Sequence, residues 1–94
     1  MEQWKNELSE QRDKLTEEID SIKYQVELIS QKIKVARLAK TKIDEPFWDY
    51  FESRIIDPLM DEMKKLNEQV DKIHDNKINI QMLDGLISTI EKEN

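Results

Sequence analysis

The stretch between Leu15 and Leu38 is apolar on two opposite sides. Leu15, Ile19, Ile22, Val26, Ile29, Ile33 and Ala36 recur at alternating steps of four and three, which sets them along one side of a helix. Tyr24, Leu28, Gln31, Val35 and Leu38 form a second series with the same rhythm. At ~100° per residue the second series lies nearly opposite the first. A single antiparallel neighbour covers only one of these faces. The pattern therefore predicts a multi-helix core: an all-α, coiled-coil-like antiparallel hairpin, completed by self-association into a four-helix assembly. Tyr24, Leu28, Val35 and Leu38 are the expected self-association residues.

The order of signals along the chain predicts one domain over residues 1–94. Helix 1 is expected over about residues 2–41, with Trp4, Leu8 and Leu15 as its early apolar residues and Gln11 and Arg12 filling the gap. Two steps of four around Leu15 predict a stutter. A turn follows at 42–45. Asp44 is the expected N-cap of helix 2, and Pro46 suits its first turn, where the missing N–H costs little. Helix 2 is expected over about 46–56, with a kink or break at Asp57-Pro58, because a proline inside a helix removes a backbone hydrogen bond. It restarts over 58–75, where Leu59, Met63, Leu66, Val70 and Ile73 restore the four-three rhythm. Asn76 is a candidate helix stop in a left-handed conformation. A final helix is expected over about 79–91, continuous with the previous one or offset by a kink.

Charge supports the fold-back. Residues 31–43 carry Lys32, Lys34, Arg37, Lys40 and Lys42 and no acid, whereas 44–62 carry seven acids against Arg54 alone. Reversal at Asp44–Glu45 would bring Lys32 near Asp57, Arg37 near Glu52 and Lys40 near Asp49, and would set Gly85 opposite Trp4. Blocks of this kind fix the register of a hairpin. They are a better explanation of the basic run than nucleic-acid binding, which a net charge of −6 also disfavours. The same charge argues against anionic membranes, and no apolar run approaches the ~18 residues of a membrane span. The N-terminal residues are polar and lack a signal-peptide core, so a cytoplasmic setting is expected.

Pro46-Phe47-Trp48-Asp49-Tyr50-Phe51 holds four of the six aromatic residues. Phe47, Phe51 and Ile55 fall at steps of four, as in an aromatic plug at the closed end of the hairpin. Trp48 lies alongside, but Trp48 and Tyr50 cannot both face that core, so at least one aromatic is expected at a surface or subunit interface. With the acids Asp49, Glu52, Asp61 and Glu62, Trp48 and Tyr50 form the expected partner-binding set, since aromatic residues favour interface cores.

Signals for chemistry are sparse. The chain has no cysteine and one histidine. It therefore offers no disulfide, no thiolate ligand and no nucleophilic triad. Asp71, His74 and Asp75 lie on neighbouring helical positions, but three ligands on one exposed helix make a poor metal site. Glu17, Glu18 and Asp20 lack the regular spacing of a helical carboxylate cluster. There is no Gly-rich phosphate loop. No cofactor, metal or small-molecule substrate is expected.

Two resemblances bear on function. In length, fold-back design and a mid-chain Trp the chain resembles the small helical-hairpin substrates of ESX-type secretion. Their Trp-x-Gly turn is absent, since Trp48 is followed by Asp49 and Tyr50, and so is a C-terminal Tyr-x-x-x-Asp/Glu signal. The stretch Ile80-Gln81-Met82-Leu83-Asp84-Gly85-Leu86-Ile87 resembles the Ser-Gln-Glu-Leu-Asp-x-Leu-Ile motif of the small two-helix phosphatases that act on aspartyl-phosphate response regulators in sporulation. Gln81, Leu83, Asp84, Leu86 and Ile87 match; Ile80 and Met82 replace the polar Ser and Glu. That resemblance implies an alternative, a phosphatase-like regulator using Asp84.

The expectation from the residues is a non-catalytic protein-interaction module. It would be a small oligomeric adaptor or inhibitor that binds itself and a further protein, with a purely structural coiled-coil oligomer as the alternative. Small, acidic helical proteins rich in Lys, Ile and Glu occur in phages and other mobile elements; in the inhibitor version, acidic rows such as Asp49, Glu52, Asp61 and Glu62 would compete for a partner's nucleic-acid groove.

Overall fold

A computed structural model describes residues 1–93. The chain is an all-α helical hairpin. Helix α1 spans Glu2–Lys40, and a 3-10 turn spans Glu45–Phe47. A short helix α2 (Trp48–Phe51) leads through a π-helical turn (Glu52–Ile56) into α3, Asp57–Glu93. No Gly or Pro interrupts α1, and Glu, Lys, Gln, Leu and Ile dominate it, all tolerant of a helix interior. Two compact units divide the chain, Met1–Ile22 with the residues from Val70 on, and Lys23–Gln69.

In the first unit the less exposed positions of α1 are Lys5, Leu8, Arg12, Leu15, Ile19 and Ile22, a continuous three-four alternation, with Ser9 beside Leu8. The stutter expected around Leu15 is absent. Arg12, not Gln11, occupies the seam, because its long aliphatic stem lies along apolar surface while its head reaches a carboxylate. Arg12 Nη1 donates to Asp84 Oδ1 at 3.1 Å, and Lys5 Nζ pairs with Glu91 at 3.2 Å. Leu8, Ile87 and Ile90 form a buried cluster with Leu83 packed against it. Gly85 does not sit against Trp4. A Cβ built there meets nothing within 4 Å, while Trp4 lies beside Leu86, Thr89 and Ile90.

The helix stop at Asn76 does not occur, and of the two alternatives for the final helix the continuous one holds, since it is part of α3. No described non-glycine residue has positive φ, and α3 passes through Asn76 without interruption. The physical reason is the fate of the side chain. Asn76 is only 8% exposed, and its Nδ2 donates to Glu18 Oε2 at 2.9 Å. An asparagine amide held across a helix pair is not available to compete for its own backbone. Its burial also changes the rhythm. Val70, Ile73 and Asn76 fall at two successive steps of three, an irregularity that locally overwinds a helix pair.

In the second unit Ile29, Ala36, Ile56 and Leu66 are buried, with Val26, Ile33, Leu59 and Met63 half-buried between them. The chain leaves α1 through turns in which the N–H groups of Thr41, Lys42 and Ile43 donate to the carbonyls of Leu38, Ala39 and Lys40. Asp44 occupies the N-cap position of the 3-10 turn, with Pro46 just inside it, but its side chain makes no capping bond. Instead the Phe47 N–H donates to the Asp44 carbonyl at 2.9 Å.

Where the sequence predicts a kink or break, at Asp57-Pro58, the helix is irregular: a π turn over Glu52–Ile56 directly precedes α3. The Asp57 N–H donates to the Glu52 carbonyl, five residues back. A wider turn of this kind accommodates a residue that lacks an N–H and whose ring crowds the carbonyl four residues earlier. Asp57 keeps helical angles (φ −58°, ψ −45°), so the chain proceeds directly into α3.

Register differs from the expected fold-back. Lys40 Nζ reaches Glu52 at 3.3 Å rather than Asp49, and Arg37 Nη2 reaches Met60 Sδ at 3.7 Å rather than Glu52. Lys32 lies in a pocket with Glu62 and Lys65, not beside Asp57. The reversal is centred later than Asp44–Glu45 because the 3-10 turn extends it. The π turn then adds a residue to the returning arm.

Candidate protein-interaction surface

Burial along α1 separates its two apolar stripes. The first is the seam described above. The second faces away from it: Tyr24, Val35 and Leu38 are 66%, 65% and 62% exposed. Leu28, at the margin of the groove described next, is less open. A helix interior of this kind normally hides its large apolar groups, so a row of them in water is informative.

Leu28 and Val35 join a shallow groove of about 500 Å³ in the second unit. Its opposite wall is Phe51, Ile55 and Leu59, and its floor includes Ala36 and Ala39. Small residues at 36 and 39 leave the space, and the π turn determines which face of the returning arm meets it. Tyr24 and Leu38 do not line the groove but continue the stripe along α1. Next to it, Gln25, Lys32, Glu62 and Lys65 surround a more polar pocket that shares Leu28.

The closed end is not an aromatic plug. None of the residues of the 3-10 turn or of α2 is buried, and Phe47 is exposed. Only Phe51 is half-buried. Pro46 and the tight turn point Phe47 outward, and two helices alone cannot enclose four rings. The wall formed by Phe51 and Ile55 is not legible in the sequence, because their spacing fits that plug equally well.

The expected partner-binding residues divide. The Trp48 indole Nε1–H donates to the Ile43 carbonyl at 2.8 Å, and Lys40 Nζ sits 5.6 Å from the Trp48 ring centre while also pairing with Glu52. Trp48 and Glu52 therefore brace the turn. Tyr50 is exposed and carries the Arg54 guanidinium 4.5 Å from its ring centre. Asp49, Asp61 and Glu62 are exposed. The structure brings Asp49, Tyr50, Ser53 and Arg54 together around one shallow surface pocket, and places Glu62 by the groove.

Asp84 is committed to Arg12. The hydrogen bond from Arg12 to Asp84, helped by Asp13, raises the guanidinium pKa above its ordinary value. Gln81 is exposed on the same helix. Among the described residues no group of three His, Asp or Glu side chains is placed to hold a metal ion. No described helix is long and apolar enough to cross a membrane. No protein-family model matches the chain, and no curated protein or solved structure matches it significantly.

Proposed function

We propose that the chain is a non-catalytic protein-interaction module that associates with itself through Tyr24, Leu28, Val35 and Leu38. In this reading it presents Tyr50, Asp49, Asp61 and the rest of the turn face to a further protein, as an adaptor or inhibitor. The observation that carries the reading is the exposed apolar stripe running into the Leu28–Val35–Phe51–Ile55 groove. Among the described residues no large side chain is fully buried. A pair of helices shields each seam residue from one side only, and small domains without a thick core lean on association for stability. A second copy on the stripe would supply the missing layer.

Sedimentation equilibrium tests this. The native chain is expected to be a dimer or larger. The Leu28→Glu, Val35→Glu double variant is expected to sediment as the monomer, because two charges would be carried into an apolar contact. A native chain that stays monomeric at high micromolar concentration would sink the reading.

A further inference from the structure

Within the exposed stripe of α1 the four positions Tyr24, Leu28, Gln31 and Val35 have the same spacing in both directions. Steps of four and three lead from Tyr24 through Leu28, Gln31 and Val35 to Leu38, and reversing them preserves the alternation. We infer that, if the chain self-associates as proposed, two copies pair α1 against α1 antiparallel, about a two-fold axis passing between Leu28 and Gln31. Tyr24 of one copy then lies over Val35 of the other, and Leu28 over Gln31. Each contact occurs twice, as a closed two-fold interface requires.

Charge selects this direction over the parallel one. Lys32, Lys34, Arg37, Lys40 and Lys42 follow one another with no acid among them. A parallel pair would lay this run beside its own copy. An antiparallel pair moves it next to residues 17–27 of the copy, which hold Glu17, Glu18, Asp20 and Glu27 against Lys23 alone. On the flanks of the stripe, Glu27 of one copy comes opposite Lys34 of the other, twice. Neither has an ion-pair partner within its own chain among the described residues. Complementary flanking charges are what sets helix orientation in such pairs.

The groove agrees with the same placement. A tyrosine arriving over Val35 stands at the mouth of the space between Val35, Ala39, Phe51 and Ile55. Its ring would fill apolar volume while its hydroxyl stays at the wet rim, the usual position of tyrosine at an interface.

Because the chain contains no cysteine, one Thr41→Cys substitution allows a single spin label per copy. Antiparallel pairing separates the two labelled positions by about 35 Å, at ~1.5 Å per residue along the helix; parallel pairing leaves them about 10–15 Å apart. Pulsed and continuous-wave electron paramagnetic resonance read both ranges. A charge exchange provides the second arm. Glu27→Lys is expected to weaken the dimer by about three- to tenfold, and adding Lys34→Glu to restore it. Long separation with restoration supports the proposal. Short separation, or no restoration in the double variant, overturns antiparallel pairing while self-association stands. A monomeric native chain, or a dimer insensitive to Leu28→Glu, Val35→Glu, overturns both.

Discussion

Asn76 and Gly85 place opposite demands on one helix. Asn76 gives up a buried seam position to a polar group, and its bond to Glu18 pairs that group across the first unit. Gly85 contributes no packing, since the space around it is open. Gly85→Ala should therefore raise the unfolding free energy by about 1 kcal/mol, the helix-interior difference between the two residues, read as a higher urea midpoint with unchanged slope. A lower midpoint would show that the glycine is needed for contact. Asn76→Asp should do the reverse. It sets a carboxylate against Glu18 at a buried position and should cost about 1–3 kcal/mol at neutral pH. Burial and the like charge raise the pKa of the introduced carboxyl in the folded state. The loss is then present above that raised value and is relieved as pH falls toward its unfolded value, near 4. Urea midpoints at pH 7 and pH 4 check this; a deficit equal at both would contradict it.

At this scale the sequence revealed the apolar seam residue by residue, from Leu15 to Ala36, because burial of Ile, Leu and Val at helical spacing has few alternatives. It did not reveal Lys5 or Asn76 as seam positions, nor choose Arg12 over Gln11 to fill the gap before Leu15. Those residues are buried in part by virtue of partners on the opposite arm, Asp84, Glu91 and Glu18. Long-range pairs of this kind leave no local periodicity to read.

Among the elements, the π turn before Pro58 has the largest consequence. It orients Phe51 and Ile55 toward the Val35–Ala39 side of α1 and sets the offset at which Lys40 meets Glu52. Pro58→Ala restores an N–H donor and removes the ring that crowds the preceding turn. The π turn should relax to an α-helical one, with a gain of about 1–3 kcal/mol in stability. The face preceding residue 57 should rotate relative to α3. The expected signatures are a higher melting temperature together with a changed Trp48 fluorescence, as the indole's bond to Ile43 is strained or lost. An unchanged Trp48 environment would mean that the turn, and not the proline, imposes the π geometry. The two prolines marked both places where the returning arm departs from a plain helix. The depth of the departure was not legible, because a proline signals only a missing bond. Whether the chain breaks, kinks or widens depends on what the flanking residues gain by continuing. The same holds for register: charge blocks announced a hairpin, but a 3-10 turn and one inserted residue moved each partner by several positions.

For the molecule as a whole, if the chain self-associates as proposed, the exposed stripe and, among the described residues, the absence of fully buried large side chains make stability a question of concentration. Folding coupled to dimerisation obeys mass action, so each tenfold dilution removes about 1.4 kcal/mol per dimer. Typical unfolding entropies of ~2.1 cal/mol/K per residue apply to both copies of a 94-residue chain. The melting temperature should then fall by roughly 4 °C for each tenfold dilution, followed by circular dichroism at 222 nm from about 1 to 100 μM. The Leu28→Glu, Val35→Glu variant should melt lower and show no such dependence. A native melting temperature constant over this range would assign the whole stability to the single hairpin. The stripe of Tyr24, Leu28, Val35 and Leu38 would then be a surface kept open with 36–66% of each residue in water, as expected only if a different protein covers it.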